Sequence, residues 1–317
     1  MTTATTTAPT APTDRERWLA ERRKGLGGSD MAAILAPTKR RNAIDVYLDK
    51  QGVPKPPEKN EKAMRRGQRL ESLVLEEYAE VGVPDLHVEV VPHLIVPHPK
   101  FPELLASPDA LDRDPDSADP GEPIEAAPII GGADAKTAVG IAAGDYGPEG
   151  TDEVPDGVAI QCRWYMEILD VEWWDVAALI AGQYAFEFRF YRLERDRKFG
   201  EFLIETGRRF WRDFVVAGKM PPADYHERHA DRLFPESQGK RLELASESVV
   251  DAMRRFAEAD AAKKAADADR ESARAYLKSV MAEAERLDVP SVGRVTWKTN
   301  KAGVRPMRVT VAEGGAS

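Results

Sequence analysis

One run, Ile129-Ile-Gly-Gly-Ala-Asp-Ala-Lys136, constrains this chain more than any other. Its apolar lead-in predicts a strand, and alternation along a strand puts Asp134 and Lys136 on the same face. A second carboxylate can approach from a neighbouring strand, and Pro108-Asp109, 25 residues before Asp134, supplies the candidate. Two converging acids suit a hard cation such as Mg²⁺, which takes oxygen ligands and keeps waters for chemistry. A lysine beside them can stabilise developing charge on a phosphate, or activate a water once the metal depresses its pKa. The arrangement is that of a metal-dependent phosphodiesterase. Asp-Ala-Lys is a common tripeptide, so its weight depends on what surrounds it.

With 317 residues, 42% of them hydrophobic, the chain can bury a large domain and still carry an appendage. No apolar run is long enough to span a bilayer, and no charged-then-apolar leader opens the sequence. Cys162 is the single cysteine, which excludes an internal disulfide and a cysteine-based metal cluster. A cytoplasmic location is expected, without membrane association. The net charge of −9 argues against a nucleic-acid partner until its distribution is read. Residues 14–70 hold 15 Lys/Arg against 8 Asp/Glu, a net of +7. Residues 71–160 hold 3 against 20, a net of −17. A nuclease needs such a division, with cations for the backbone and acids for a metal. Charge runs are also commonly just solvated faces.

Residues 1–13, rich in Thr, Ala and Pro, predict a disordered tail. A helix with Trp18 and Arg22 then runs into Gly27-Gly28-Ser29-Asp30, where Ser29 or Asp30 can cap a helix over Met31–Leu35. Such a glycine turn at a helix N-terminus is either an ordinary capped turn or a phosphate site. Residues 61–81 predict a helix whose inner face is Ala63, Gly67, Leu70, Val74, Tyr78 and Val81, with Glu71 beside it. Strands are expected at Val88–Val96 and Leu104–Ser107, the second delivering Asp109. The run Asp112 to Asp119 lacks the glycine and glutamate of a calcium loop and predicts an exposed acidic loop. A helix near 157–169 points Gln161 inward, Trp173–Ala181 is an apolar strand, and Gly182-Gln183 turns into an alternating strand to Tyr191. An amphipathic helix from Phe199 to Phe214 follows. This order predicts an α/β core on a mixed sheet. Residues 237–317 predict one long helix or a helical hairpin, ending in a short β-hairpin.

Five elements in this order resemble the YqaJ-type viral recombinase nucleases, relatives of phage lambda exonuclease in the PD-(D/E)XK superfamily. They are Trp18…Arg22…Gly27-Gly28-Ser29-Asp30; Arg66-Gly67-Gln68-Arg69-Leu70-Glu71; Ser107-Pro108-Asp109; Asp134-Ala135-Lys136; and Gln161…Tyr165-Met166. The resemblance covers roughly residues 14–220. It departs at Asp134, where the family usually has Glu, and at Gly131-Gly132, where bulky strand formers are usual.

The resemblance implies a restriction-endonuclease-like core at 14–236, a central mixed sheet flanked by helices, with a helical C-terminal appendage. It implies an exonuclease that resects linear duplex DNA ends 5′-to-3′, leaving overhangs for a single-strand annealing partner. By the same resemblance Asp109, Asp134 and the Ala135 carbonyl hold Mg²⁺, with Mn²⁺ as a substitute, and Glu71 completes the set or bridges to a second ion. Lys136 and Gln161 serve the chemical step, and Arg22, Ser29 and Ser107 cradle a 5′-phosphate. A trimeric ring and a host cytoplasm, for a phage-encoded protein, follow from it too. Two rivals remain: an endonuclease on the same core, which would cut closed circles, and a non-catalytic DNA-binding scaffold. Iron–sulfur members of the superfamily need four cysteines and are excluded.

Overall fold

The computed structural model describes residues 13–55, 61–181, 186–244 and 246–312. The N-terminal tail to residue 12, the Gly182-Gln183 turn, and the side chains of Ala63, Arg66 and Gln68 lie outside this set. The chain divides into two units, Met1–Ser237 and Gln238–Ser317.

The first unit opens with three short helices, α1 (Asp14–Arg22), α2 (Gly28–Leu35) and α3 (Ala43–Lys50). Thr13 is the α1 N-cap rather than tail, exchanging hydrogen bonds with Glu16 in a capping box. The longer α4 (Glu61–Glu77) loosens into a π turn at Tyr78–Gly82. Strands β1 (His87–Val90), β2 (Val96–Pro97), β3 (Leu105–Ala106), β4 (Ala110–Arg113) and β5 (Ile129–Val139) follow. Next come α5 (Asp156–Leu169), β6 (Trp173–Ala181), β7 (Phe186–Glu194), α6 (Arg197–Phe210) and α7 (Glu227–Leu233).

Five strands form one sheet in the order β1-β4-β5-β6-β7. Among the described residues of this sheet, only β5 and β6 pair in parallel, joined through α5. The fold is therefore α/β with a mixed central sheet. Strand β6 is buried on both faces, which explains its unbroken apolar run. Val176, Ala178 and Ile180 join a cluster with Trp164 and Tyr165 of α5 and Leu203 of α6. Ala177 and Leu179 join Val74, Leu75 and Tyr78 on the opposite side.

Several expectations are corrected. The strand expected at Val88–Val96 stops at Val90, because a turn closes from Val91 to Leu94. Asp109 does not end a strand; it stands immediately before β4. Asp112 belongs to β4 and is fully buried, so the acidic loop begins only after Arg113. Helix α2 starts at Gly28, capped at Gly27, whose N–H donates to Asp30 Oδ2 at 2.9 Å. Val81 is exposed, since the π turn carries it off the face that buries Val74 and Tyr78.

Gly131 and Gly132 have a steric cause. A Cβ at Gly131 would stand 2.5 Å from the Trp173 ring, and one at Gly132 would stand 2.4 Å from Trp174. The two tryptophans of β6 take the space that bulky residues on β5 would fill.

The second unit has one helix, α8 (Glu247–Met281), and three antiparallel strands in the order β10-β9-β8. They are β8 (Arg286–Val289), β9 (Gly293–Trp297) and β10 (Met307–Val311), one strand more than the expected hairpin. The Trp297 ring packs against the Arg305 guanidinium at 3.8 Å.

Tyr78 hydroxyl lies 2.7 Å from Asp112 Oδ2 and 2.9 Å from Asp175 Oδ2. One phenolic proton cannot serve two carboxylates, so one acid must donate. Asp175 is neutralised by Arg192, at 2.8 and 2.6 Å, which leaves the proton to Asp112. Burial, and then the charge of Asp175, push the Asp112 carboxyl up to about 7. An unfolded aspartate titrates near ~3.9, so between about pH 4 and 7 the folded state holds the extra proton. This contribution to stability is complete below about pH 4 and is lost as pH rises through 7. Asp112→Asn, a mimic of the protonated acid, should flatten the fall in thermal stability from pH 5 to 8 and raise the melting temperature at pH 8. An unchanged slope in thermal melts across that range would contradict the assigned proton.

Candidate active site

Strand alternation sends Asp134, Lys136 and Ala138 to the α5 side of the sheet, where Ala138 packs into the core of α5. Asp134 is completely buried. Its Oδ2 accepts from Lys136 Nζ at 2.7 Å and from Gln161 Nε2 at 2.6 Å. Its Oδ1 is buried without a hydrogen-bond partner. Gln161 also donates to Tyr165 hydroxyl at 2.9 Å, and Tyr165 donates to the Ser107 carbonyl at 3.0 Å. Helix α5 comes this close to the glycine turn because Gly28 has no side chain: a Cβ there would lie 2.9 Å from Gln161 Cγ.

Asp109 reaches the same strand from the head of β4, its Oδ2 accepting the Ala135 N–H at 3.0 Å. Burial, and then the nearby Asp134 carboxylate, push its carboxyl up to about 8. Lys136 is also buried, which disfavours its charge, but the two aspartates outweigh this and hold the ammonium well above the ordinary lysine range. Glu71 is raised, mainly by burial, with Lys136 opposing and Asp134 adding to the shift.

These groups line a cavity of about 470 Å³ whose wall includes Arg22, Ser29, Glu71, Ser107, Asp109, Lys136, Gln161 and Tyr165. The structure thus brings the sequence-selected side chains to one place. Glu71 shares the cavity, yet among the described residues no three His, Cys, Asp or Glu side chains gather into one ligand set. The donor set suits a divalent cation on two grounds. The orphaned Asp134 Oδ1 needs a partner, and the charge of one ammonium, Lys136, serves both Asp134 and the half-buried Asp109.

Arg22 Nη2 donates to Ser29 Oγ at 3.0 Å, and its guanidinium lies 4.6 Å from the centre of the Trp18 ring. Ser29 Oγ accepts that bond, so its own proton remains available. Ser107 differs from expectation. Its hydroxyl accepts from Trp18 Nε1 at 3.2 Å and donates its one proton to the Leu94 carbonyl at 2.9 Å. It braces Trp18 and is not a ready donor to a phosphate.

Sequence reasoning missed Lys50 and Arg41. Lys50, almost fully buried, binds Asp30 Oδ2 at 2.7 Å and the Arg22 carbonyl at 2.9 Å. Arg41 binds the Ser29 carbonyl at 3.0 Å and pairs with Asp30. Burial penalises the Asp30 charge, but Lys50 and Arg41 overcome this and hold its carboxyl far below the usual range. No local pattern marks these cations, because both partnerships are tertiary.

Residues 17–172 match the YqaJ-like viral recombinase domain. The uncharacterized protein YqaJ of Bacillus subtilis (strain 168) is 26% identical over 212 residues, which is 66% of this chain and 59% of the relative's length. An alkaline exonuclease from Laribacter hongkongensis, LHK-Exo, is 17% identical with a TM-score of 0.47, covering 64% of this chain and 93% of that one. LHK-Exo in complex with dAMP gives 18% and 0.45 over 64% and 93%. A phage-related exonuclease from Haemophilus somnus 129PT gives 12% and 0.40 over 62% and 96%. Among the described residues no helix is long and apolar enough to cross a membrane. Over residues 17–172, this chain is similar to the YqaJ-like viral recombinase domain.

Proposed function

We propose that this protein is a divalent-metal-dependent exonuclease that resects linear duplex DNA from its 5′ ends, producing overhangs for a strand-annealing partner. The observation that carries the reading is Asp134: a wholly buried carboxylate, one oxygen held by Lys136 and Gln161 and the other unpartnered, with Asp109 beside it. The similarity of residues 17–172 to a recombinase domain fits a DNA substrate. Asp109 and Asp134, with the Ala135 carbonyl, would hold Mg²⁺ or Mn²⁺, and Glu71 lies in the same cavity for a second ion. Bound there, the metal supplies Lewis-acid stabilisation of the phosphate and a more acidic water.

The chain's own groups do the remaining work. Lys136, kept protonated, offers positive charge to the phosphate oxygen on which negative charge builds. Gln161 fixes the orientation of Asp134 through Oδ2 and is itself fixed by Tyr165. Arg22 and the free Ser29 proton receive a terminal phosphate at the N-terminus of α2, where backbone N–H groups favour an anion.

Asp109→Ala, Asp134→Ala and Lys136→Ala should each lower Mg²⁺-dependent digestion of linear duplex by on the order of a thousandfold or more, with the fold retained. Normal turnover in Asp134→Ala would end the reading. Digestion of closed circular DNA by the wild type would instead make it an endonuclease.

Metal binding can be read without catalysis. A hundredfold excess of Mg²⁺ over its Kd should raise the wild-type melting temperature by roughly 5 °C or more. Asp134→Asn should show no such rise, since it keeps the shape and loses the charge. Equal shifts in both proteins would place the cation elsewhere.

A terminal phosphate carries more charge than an internal diester, so a fixed guanidinium and hydroxyl should prefer it. 5′-phosphorylated ends should be digested ~10-fold faster than 5′-hydroxyl ends, and Arg22→Ala should abolish that preference. Matched rates on the two ends in the wild type would dismiss the phosphate pocket while leaving the metal site intact.

A further inference from the structure

His93 holds a backbone conformation that its side chain disfavours. Its φ is 68°, third in the turn Val91-Pro92-His93-Leu94, which closes with Leu94 N–H donating to the Val91 carbonyl at 3.1 Å. That position ordinarily takes Gly or Asn, because a Cβ with positive φ crowds the backbone. Core packing does not account for the histidine, since it is exposed. The ring instead lies 5.3 Å from the Trp18 ring, tilted by 50°, and Trp18 in turn carries the Arg22 guanidinium. Both rings line the cavity that holds Asp109, Lys136, Arg22 and Ser29. Both also line an adjoining cavity of about 810 Å³, with one apolar wall of Pro92, Ile95, Pro97, Pro102 and Leu105 and the charged Asp14, Arg17, Glu21 and Lys24 of α1 on the other side. Strained residues persist where a function depends on them.

We propose that Trp18 and His93 form an aromatic platform on which an unpaired base of the cleaved strand stacks, beside its terminal phosphate. The proposal rests on the nuclease reading given above. A nucleobase suits the site because its flat face matches an exposed imidazole on an indole, and the adjoining apolar wall gives it room out of the duplex. Stacking of this kind tolerates any base, as an enzyme that moves along a strand requires. The Arg22–Trp18–His93 chain then fixes phosphate and base together. Both ends of the terminal nucleotide are held while the next phosphate faces Asp109 and Asp134.

The test couples one residue to one base. Linear 5′-phosphorylated duplexes carry either a normal or an abasic nucleotide at the 5′ end, and kcat/KM is compared for wild type, His93→Gly and His93→Phe. Removing the base should slow the wild type about tenfold, the usual scale of base–aromatic stacking. His93→Gly should lose about as much on the normal end and little more on the abasic one, mainly through KM, whereas His93→Phe keeps the wild-type pattern. His93→Gly should melt no lower than the wild type, because glycine relieves the strained turn. It should also keep the preference for a 5′-phosphate, which belongs to Arg22. Two penalties that multiply independently, or a His93→Gly enzyme as fast as wild type on the normal end, would overturn the platform. If the wild type digests no DNA, the nuclease reading fails separately. The coupling is then read as Kd, by fluorescence anisotropy of the same 5′-phosphorylated ends in EDTA, with the same outcomes deciding it.

Discussion

Burying the Asp134 carboxylate is the constraint on which the rest of the first unit depends. A lone ionised acid in a protein interior is strongly disfavoured. Here the surroundings supply Lys136 from the same strand, two residues on, and Gln161 from α5, and they still leave one oxygen open. Asp109 then adds a second, half-buried acid, whose carboxyl is pushed up to about 8 by burial and by the Asp134 charge. Nothing in core packing calls for such a pair. A cation with oxygen preference would remove the conflict, which is concentrated at the unpartnered Oδ1.

The rest of the sheet is arranged to tolerate that placement. Beside the site, β6 places Val176 opposite Asp134 and the small Ala177 and Ala178 opposite Ala135 and Lys136. The large rings sit further back along the pair, where Trp173 and Trp174 lie against Gly131 and Gly132. Bulk and charge are thus separated along one strand pair. Another buried acid, Asp112, lies three residues beyond Asp109 on β4; burial and the charge of Asp175 raise its carboxyl, against the opposing hydrogen bond with Tyr78. Burial raises both carboxyls, but Asp112 faces a phenol and a paired carboxylate, whereas Asp109 faces an ammonium and an open cavity.

Period and punctuation made much of this readable beforehand. The two-residue alternation of Asp134 and Lys136, the apolar run of β6 and the inward Gln161 are properties of local sequence, and the structure has them at those places. Asp112 looks like part of a loop in the sequence because β4 is only four residues long and runs straight into Asp114-Pro115. Burial there comes from pairing with β1 and β5, which no local pattern encodes. Lys50 and Arg41 escaped for the same reason: a lysine on an amphipathic helix looks solvated until the helix is docked. Ser107 shows a subtler limit. Its position relative to Asp109 is legible, but whether its single proton is free depends on Leu94 and Trp18, which only the fold brings to it.

Docking of α3 explains why the glycine turn is more than a cap. Asp30 ties Gly27, Lys50 and Arg41 together, and Lys50 also grips the Arg22 carbonyl, so α1 and the glycine turn share one buried charge cluster. Asp49 continues the cluster outward to Arg232, and Asp45 binds Arg228, both on α7. A buried ion pair contributes little net stability, since desolvation offsets its attraction, yet removing one partner is severe. Such a network is better suited to holding a geometry than to strengthening a fold. Arg22 must present a fixed guanidinium if it is to distinguish a terminal phosphate, and a long flexible side chain cannot do so alone. The indole of Trp18 holds its plane, Ser29 holds its edge, and the Asp30 cluster holds its backbone. The last helix of the first unit therefore reaches the Arg22 side of the cavity through ion pairs and hydrogen bonds to the Val53 and Lys39 carbonyls, without contributing a side chain to the cavity.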